Sequence, residues 1–178
     1  MGAGFTSGVC ACAAAALLLS PSIAGANDLV GVIQIQNGTQ LEQKVLDVPG
    51  GSKTPATGIV LSQKNDEDSQ QWFFHPTGDN PSSFFLINKA TGLVLDDPGS
   101  STNDGVQVIQ FGLQGGDNQK WFLITVQPPN PNGAPLGPFR IINKHSGKAL
   151  DVQGGSHSPR TPIIQNQSSG TAWSIVNP

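Results

Sequence analysis

From about residue 30 onward, apolar positions fall in short runs, broken by stretches rich in Gly, Pro, Asn, Ser and Thr. Gly31-Val32-Ile33-Gln34-Ile35, Phe84-Phe85-Leu86-Ile87-Asn88 and Phe139-Arg140-Ile141-Ile142-Asn143 are corresponding runs. Their β-branched and aromatic side chains suit a pleated, half-buried surface. Lys89-Ala90-Thr91-Gly92 and Lys144-His145-Ser146-Gly147 follow the last two as turns, with Gly at the position that needs positive φ. Next come a short strand ending in Leu-Asp, a Gly/Ser/Pro loop, and a third strand at 58–61, 106–109 and 162–165. A polar turn then leads to a strand carrying Trp. The pattern predicts four short strands per unit and about twelve in all.

The units are copies of one phrase. Leu46-Asp47 leads to Gln70-Gln71-Trp72, Leu95-Asp96 to Gln119-Lys120-Trp121, and Leu150-Asp151 to Thr171-Ala172-Trp173. The Asp-to-Asp steps are roughly 49 and 55 residues, and all three tryptophans close a repeat. The repeats run over about 30–76, 82–128 and 137–177, separated by proline-rich linkers at 75–81 and 128–135. A four-stranded unit of this size cannot bury its apolar face alone, so the copies must pack on one another. Three copies are too few for a propeller. The expected fold is therefore all-β: a β-trefoil of three ~50-residue, four-stranded repeats with pseudo-threefold symmetry. It would fill residues 27–178 as one domain, large enough to hold together without disulfides.

Residues 1–26 have a different composition. No charged side chain precedes Asp28, Val9 to Leu19 is an apolar run, and Pro21 and Ala24-Gly25-Ala26 follow it. This reads as a secretory signal peptide cut near Ala26–Asn27, giving a secreted, extracellular protein. The run is too short to span a bilayer, so no membrane insertion is expected. Met1-Gly2 with Thr6 also fits the loose myristoylation pattern, in which the Ala-rich run has no role. Cys10 and Cys12 both lie in this segment, so the mature chain would have no cysteine. Charged residues are 12% of the chain, the net charge is -3, and no basic stripe is present. A nucleic-acid partner is excluded on that basis.

The second repeat resembles the ricin-B-type lectin family, whose hallmark is a threefold Gln-x-Trp. It has Leu95-Asp96, a Gly/Ser loop, Val108-Ile109-Gln110-Phe111, then Gly115-Gly116-Asp117-Asn118-Gln119-Lys120-Trp121. The resemblance implies a non-catalytic protein that binds carbohydrate or a glycoconjugate. It assigns the site to the Asp after Leu, an aromatic on the third strand and polar residues before Trp. In the second repeat these are Asp96, Phe111, Asn118 and Gln119. The chemistry suits a pyranose: a carboxylate accepts from adjacent hydroxyls, an aromatic covers the apolar C–H face, and amides both donate and accept.

The other repeats keep only parts of this set. The first has Asp47 and Gln70, but Val60 and Ser62 on its third strand and Ser69 in place of Asn118. The third has Asp151, with Asn166 at the aromatic position and Thr171 in place of Gln. Many members of the family also carry Gln two residues before the aromatic, where this chain has Ile109; Gln110, one step on, faces the other way on a strand. Purely structural readings stand beside these assignments. The tryptophans would be core anchors, Gln70 and Gln119 would satisfy buried backbone groups, the aspartates would cap turns, and Phe111 would pack in the core. The sequons at Asn37 and Asn166 are potential glycosylation sites, and a glycan on Asn166 would cover the third position.

Nothing in the chain points to catalysis, a metal or a cofactor. His75, His145 and His157 have no metal-ligand spacing, and there is no Gly-x-Ser-x-Gly elbow. Asp66-Glu67-Asp68 reads as a solvated loop, and Asp96-Asp97 as neighbours facing opposite ways, unlike a glycosidase pair. Two alternatives remain: a protein-binding trefoil such as a protease inhibitor, using the loop at 128–138 or 153–162, and a trefoil that has lost sugar binding.

Overall fold

The computed structural model describes residues 28–35, 43–126, 136–167 and 170–178. The expected signal segment with Cys10 and Cys12, the Asn37 sequon and the whole of the second linker lie outside the described residues. The strands are β1 (Leu29–Ile35), β2 (Lys44–Asp47), β3 (Val60–Gln63), β4 (Gln71–Pro76), β5 (Phe84–Asn88) and β6 (Val94–Asp96). They continue with β7 (Ile109–Phe111), β8 (Trp121–Thr125), β9 (Leu136–Asn143), β10 (Ala149–Val152), β11 (Ile163–Asn166) and β12 (Trp173–Val176).

Strand β1 pairs with β12 and β4, β5 with β4 and β8, and β9 with β8 and β12, all antiparallel. This closes a six-stranded barrel, which removes the unpaired edges that an open sheet would present. The hairpins β2–β3, β6–β7 and β10–β11 attach to β1, β5 and β9. A barrel with three such hairpins is the layout of a β-trefoil.

The third strands begin later than the apolar runs predict. Pairing within the hairpins starts at Val60, Ile109 and Ile163, because the residues just before them turn toward the neighbouring hairpins instead. Ile59 N donates to Val108 O (2.9 Å), Val108 N to Ile163 O (2.9 Å), and Ile163 N to Ile59 O (3.0 Å). The three bonds form a closed triangle, and all three residues are fully buried. Gly58 beside this triangle has no room for a side chain, since a Cβ there would lie 2.5 Å from the Gln107 amide nitrogen.

Ile33, Leu86 and Ile141 from the barrel, Leu46, Leu95 and Leu150 from the hairpins, and all three tryptophans form one core with the triangle. The indoles also act as polar anchors. Trp72, Trp121 and Trp173 donate from Nε1 to the carbonyls of Leu46 (3.5 Å), Leu95 (3.1 Å) and Leu150 (3.1 Å). Each Leu is thereby pinned inward immediately before the Asp of its Leu-Asp pair. Short 3-10 turns follow at Pro49–Gly51, Pro98–Ser100 and Gln153–Gly155, with Gly50, Gly99 and Gly154 at φ of 62, 66 and 63°. That left-handed geometry favours glycine.

Outside the core, Asp79 of the first linker meets Lys120 (3.2 Å) and Lys144 (2.9 Å), and Asp117 meets the same two lysines at 3.2 and 3.0 Å. The lysines hold both carboxyls well below the usual carboxylate range, the Lys144 hydrogen bond contributing most in each case. His75, expected in the linker, stands in β4 with Nδ1 3.0 Å from the Asp28 carboxylate.

Replacing Trp121 by Phe should test the anchor. Losing the indole leaves the Leu95 carbonyl unpaired beside a small cavity, and stability should fall by about 2–4 kcal/mol in urea unfolding. A loss below about 0.5 kcal/mol would show that the indole nitrogen contributes nothing to the fold.

Candidate functional site

In the hairpin β6–β7, Asp96 stands opposite Ile109, Leu95 opposite Gln110, and Val94 opposite Phe111. Directly opposed residues share a face, so Asp96, Ile109 and Phe111 lie on one side and Leu95 and Gln110 on the other. The register is the same in the other hairpins: Asp47 opposes Val60 and Val45 opposes Ser62, while Asp151 opposes Ile164 and Ala149 opposes Asn166. Ser62 and Asn166 therefore occupy the place of Phe111.

The face bearing Asp96 and Phe111 opens into a cleft of about 390 Å³. It is lined by Asp96, Ile109, Phe111, Gln114, Asn118 and the turn Pro98-Gly99-Ser100. Asp96 is only 4% exposed, yet it belongs to this lining. The amide of Asn118 donates to both oxygens (3.3 Å each) and that of Gln119 to Oδ2 (2.7 Å). Burial raises the carboxyl's pKa, and the Gln119 and Asn118 amides oppose the rise.

The two amides are themselves held. Gln119 donates to Gly112 O (2.9 Å) and accepts from the backbone N–H of Gln114 (2.7 Å) and Gly115 (3.1 Å). Asn118 donates to Asp97 O, and its own carbonyl accepts from Asp97 N (3.0 Å) and from Asn143 Nδ2 (2.8 Å). Gln119 thus satisfies backbone groups and orients Asp96 at once, so the structural and functional readings of the residue are not exclusive. The four second-repeat residues are brought together: Asp96, Phe111 and Asn118 line one cleft, and Gln119 is buried beside Asp96.

Counting acceptor positions separates the three aspartates. An ionised carboxylate offers about four lone-pair sites. Asp96 receives two amide donors, which leaves room for about two more. Asp151 Oδ1 accepts from Val152 N (2.9 Å), Thr171 N (2.9 Å) and Thr171 Oγ1 (2.7 Å), and Oδ2 from Asn166 (3.2 Å). Its acceptor capacity is used within the chain. Asp47 is held by one long bond from Gln70 (3.5 Å), and its Oδ1 is buried with no protein donor. Gln70 is turned to backbone, donating to Gln63 O (2.9 Å) and accepting from Asn65 N (2.9 Å). Ser62 leaves this first position without an aromatic wall.

Gln110 does not replace the glutamine that Ile109 displaces. It is fully buried and faces away from the cleft, donating to the carbonyls of Ser52 and Thr54 (3.0 Å) and accepting from Thr91 Oγ1 (2.9 Å). Asp97 faces the opposite way from Asp96, as adjacent residues along a strand do. It follows the end of β6 and turns fully into the interior, at the place filled by Val48 after Asp47 and Val152 after Asp151. Neither oxygen has a hydrogen-bond partner among the described residues. Burial pushes its carboxyl up to about 6, the Asp96 charge adds to the rise, and His145 opposes it. Valine at the equivalent positions 48 and 152 is the sequence sign of that burial. Among the described residues, no group of three His, Cys, Asp or Glu is placed to hold a metal ion.

A family model described as a ricin-type β-trefoil lectin domain-like unit matches the chain over residues 23–111 and again over 79–166. No curated protein matches the chain in sequence. Among solved structures, the designed threefold-symmetric protein ThreeFoil is 30% identical with a TM-score of 0.70, over 84% of this chain and 99% of its own. An exo-β-1,3-galactanase from Clostridium thermocellum is 30% identical with a TM-score of 0.69, over 83% of this chain, which spans 30% of the enzyme. A Macrolepiota procera ricin B-like lectin, solved in complex with lactose, is 21% identical with a TM-score of 0.62, over 84% of this chain and 96% of its own. At that identity the likeness is one of fold.

Replacing Asp97 by Val should stabilise the protein in a pH-dependent way. The folded chain holds this proton up to about pH 6, the unfolded chain only to its ordinary value of 3.8. The cost of burying the carboxylate is therefore absent where both states are protonated, grows as pH rises between those values, and is complete above the upper one. The variant's thermal midpoint should exceed the wild type's by roughly 3–6 °C at neutral pH. The gain should shrink steadily on acidification. A gain independent of pH would mean that packing alone is responsible.

Proposed function

The chain belongs to the family of ricin-type β-trefoil lectin-like domains, and from that premise we propose that it is a secreted, non-catalytic carbohydrate-binding protein. Its architecture is read as three four-stranded repeats about a pseudo-threefold axis, filling residues 27–178 after removal of a signal peptide. Sugar binds in the second repeat, in the cleft between Asp96, Phe111 and Asn118. The observation that carries this reading is the state of Asp96. Two amides hold its carboxylate in place, acceptor capacity remains, and an aromatic side chain flanks the open space.

In this reading two adjacent hydroxyls of a pyranose donate to Asp96, and the apolar C–H face of the ring lies against Phe111. Asn118 and Gln119 keep the carboxylate from rotating away. Each charge-assisted bond contributes roughly 1.5–3 kcal/mol when well formed. Against the cost of association, one shallow site of this kind should give a Kd on the order of 0.1–1 mM. The first and third positions contribute less: Asp47 has no aromatic partner, and Asp151 is occupied by Val152, Thr171 and Asn166.

A glycan array that includes lactose, the sugar held by the Macrolepiota procera lectin, tests the proposal. Asp96→Ala should abolish binding while shifting the thermal midpoint by less than about 3 °C, because Gln119 and Asn118 keep Gly112 O and Asp97 O as partners. Phe111→Ala should weaken binding about tenfold, and Asp151→Ala should leave it unchanged. Binding should also fall on acidification, beginning at a higher pH than an ordinary aspartate would impose, since burial raises the Asp96 pKa. A blank array from correctly folded protein would overturn the reading.

A further inference from the structure

The cleft of the second repeat is gripped from the third repeat on both sides. Gln165 lies fully buried in β11 and donates from Nε2 to the carbonyls of Ser101 (2.7 Å) and Asn103 (3.0 Å). Those carbonyls end the Pro98-Gly99-Ser100 turn that forms one wall. The backbone continues the hold, with Gly105 N donating to Gln165 O and Gln165 N to Val106 O, each at 2.9 Å. On the opposite side, Asn143 at the end of β9 is also fully buried and donates to the carbonyl of Asn118 (2.8 Å). The turn after Asn143 joins the two grips. Ser146 donates from Oγ to Gln165 Oε1 (2.8 Å), and Asn143 Oδ1 accepts from the N–H groups of His145 (3.0 Å) and Ser146 (3.1 Å).

The same arrangement runs from the second repeat to the first. Gln110 holds Ser52 and Thr54, Thr91 bonds Gln110, and Asn88 donates to Ser69 O (2.8 Å). From the first repeat to the third only the backbone part recurs, with Arg160 N donating to Leu61 O (2.7 Å) and Leu61 N to Thr161 O (2.8 Å); the side-chain grips do not. The positions equivalent by register to Gln110 and Asn88 are Leu61, opposite Leu46, and Ile35, opposite Trp173. Neither side chain carries a donor.

We infer that Gln165 and Asn143 are positioning residues for carbohydrate binding, so that the second-repeat site is completed by the third repeat rather than by its own hairpin alone. This rests on the lectin reading of the cleft. A sugar that spans Asp96 and Phe111 must find the 98–100 turn and Asn118 at a fixed separation. Both walls are loop backbone, and Gln165 and Asn143 fix them to one buried turn. Holding the walls before binding removes an ordering cost that would otherwise be deducted from affinity.

Paired substitutions in the full mature chain test this. Gln165→Leu and Gln110→Leu remove the same buried donor from equivalent places, and Leu61 shows that the position accepts leucine. Both should lower the thermal midpoint by several degrees, each stranding two carbonyls. Only Gln165→Leu should weaken lactose binding, by about tenfold, because Gln110 holds the Ser52–Thr54 segment of the first repeat instead. Amide hydrogen exchange over residues 99–105 should quicken in Gln165→Leu and stay unchanged in Gln110→Leu. Equal weakening by both variants, or wild-type affinity in Gln165→Leu, overturns the inference. If Gln165→Leu does not fold, Ser146→Ala removes the bond that orients Gln165, together with that hydroxyl's bonds to Lys148 N–H (3.2 Å) and Asn143 Oδ1 (3.5 Å) within its own turn, and should shift exchange over 99–105 and affinity in the same direction by less; no shift in either overturns it. A wild-type chain silent to lactose and to the whole array overturns the lectin reading, and the exchange comparison then decides alone whether Gln165 holds the wall.

Discussion

The triangle of backbone hydrogen bonds among Ile59, Val108 and Ile163 is the constraint from which the rest of the structure follows. Each residue gives its N–H to one neighbour and its carbonyl to the other, and each is fully buried. A buried backbone group without a partner costs about 1–3 kcal/mol, so the triangle forms complete or not at all. Slipping one strand by a residue would unpair two of its groups and turn a buried face outward. The three hairpins are therefore locked to one another at the centre, although each pairs with the barrel at a different strand. The third-strand runs around Ile59, Val108 and Ile163 have to serve this contact before they can serve their own hairpins, which is why pairing there begins late.

The same lock sets the chemistry on the outer face. With Ile59, Val108 and Ile163 fixed, the next residues alternate in a set register, and the indole of each repeat pins the carbonyl of Leu46, Leu95 or Leu150. The residue after each pinned leucine is an aspartate that must emerge at the mouth of its hairpin. Asp96 emerges partly desolvated, beside a second carboxylate at Asp97 in a position where the other repeats place valine. The Asp96 charge adds to the cost of ionising Asp97. The Asn118 and Gln119 amides answer for Asp96 only, and Asp97 is left with His145 as its one opposing charge. A buried charge without hydrogen bonds destabilises the fold, and Asp97 places that instability directly behind the cleft.

Much of the fold was legible in the sequence because the repeat is carried by residues with no freedom of interpretation. Leu46-Asp47, Leu95-Asp96 and Leu150-Asp151, with a tryptophan at a near-constant distance, expose the period directly, and the apolar runs mark the strands. The four second-repeat side chains were named by the family resemblance, not by the repeat; in the structure Asp96, Phe111 and Asn118 line one cleft, and Gln119 is buried beside Asp96 as its donor. Three things were hidden. Strand starts depended on contacts between repeats, which periodicity along one strand cannot register. The alternation placed Asp97 opposite to Asp96, but its full burial shows only when the equivalent Val48 and Val152 are set beside it. Gln110 and Gln165 look like surface glutamines on alternating strands, yet their partners are carbonyls more than 50 residues away. The recurrence of Ile-Gln at 109–110 and 164–165, and of Ile-Asn at 87–88 and 142–143, was the trace that those contacts leave.

The division between what is repeated and what is not explains how a near-symmetric frame can hold an asymmetric site. The parts that recur in every repeat are those the core requires: the triangle, the indoles, the inward leucines. The aspartates also recur, but their surroundings differ, and acceptor capacity decides what each can do. Asp151 is used up by Val152, Thr171 and Asn166. Asp47 lacks both a firm amide and an aromatic neighbour. Asp96 alone combines fixed orientation, spare acceptor positions and an open space. Losing Asp96 would strand little, because its two amides have backbone partners as well. The frame can therefore change the outer face of any one hairpin without losing its fold.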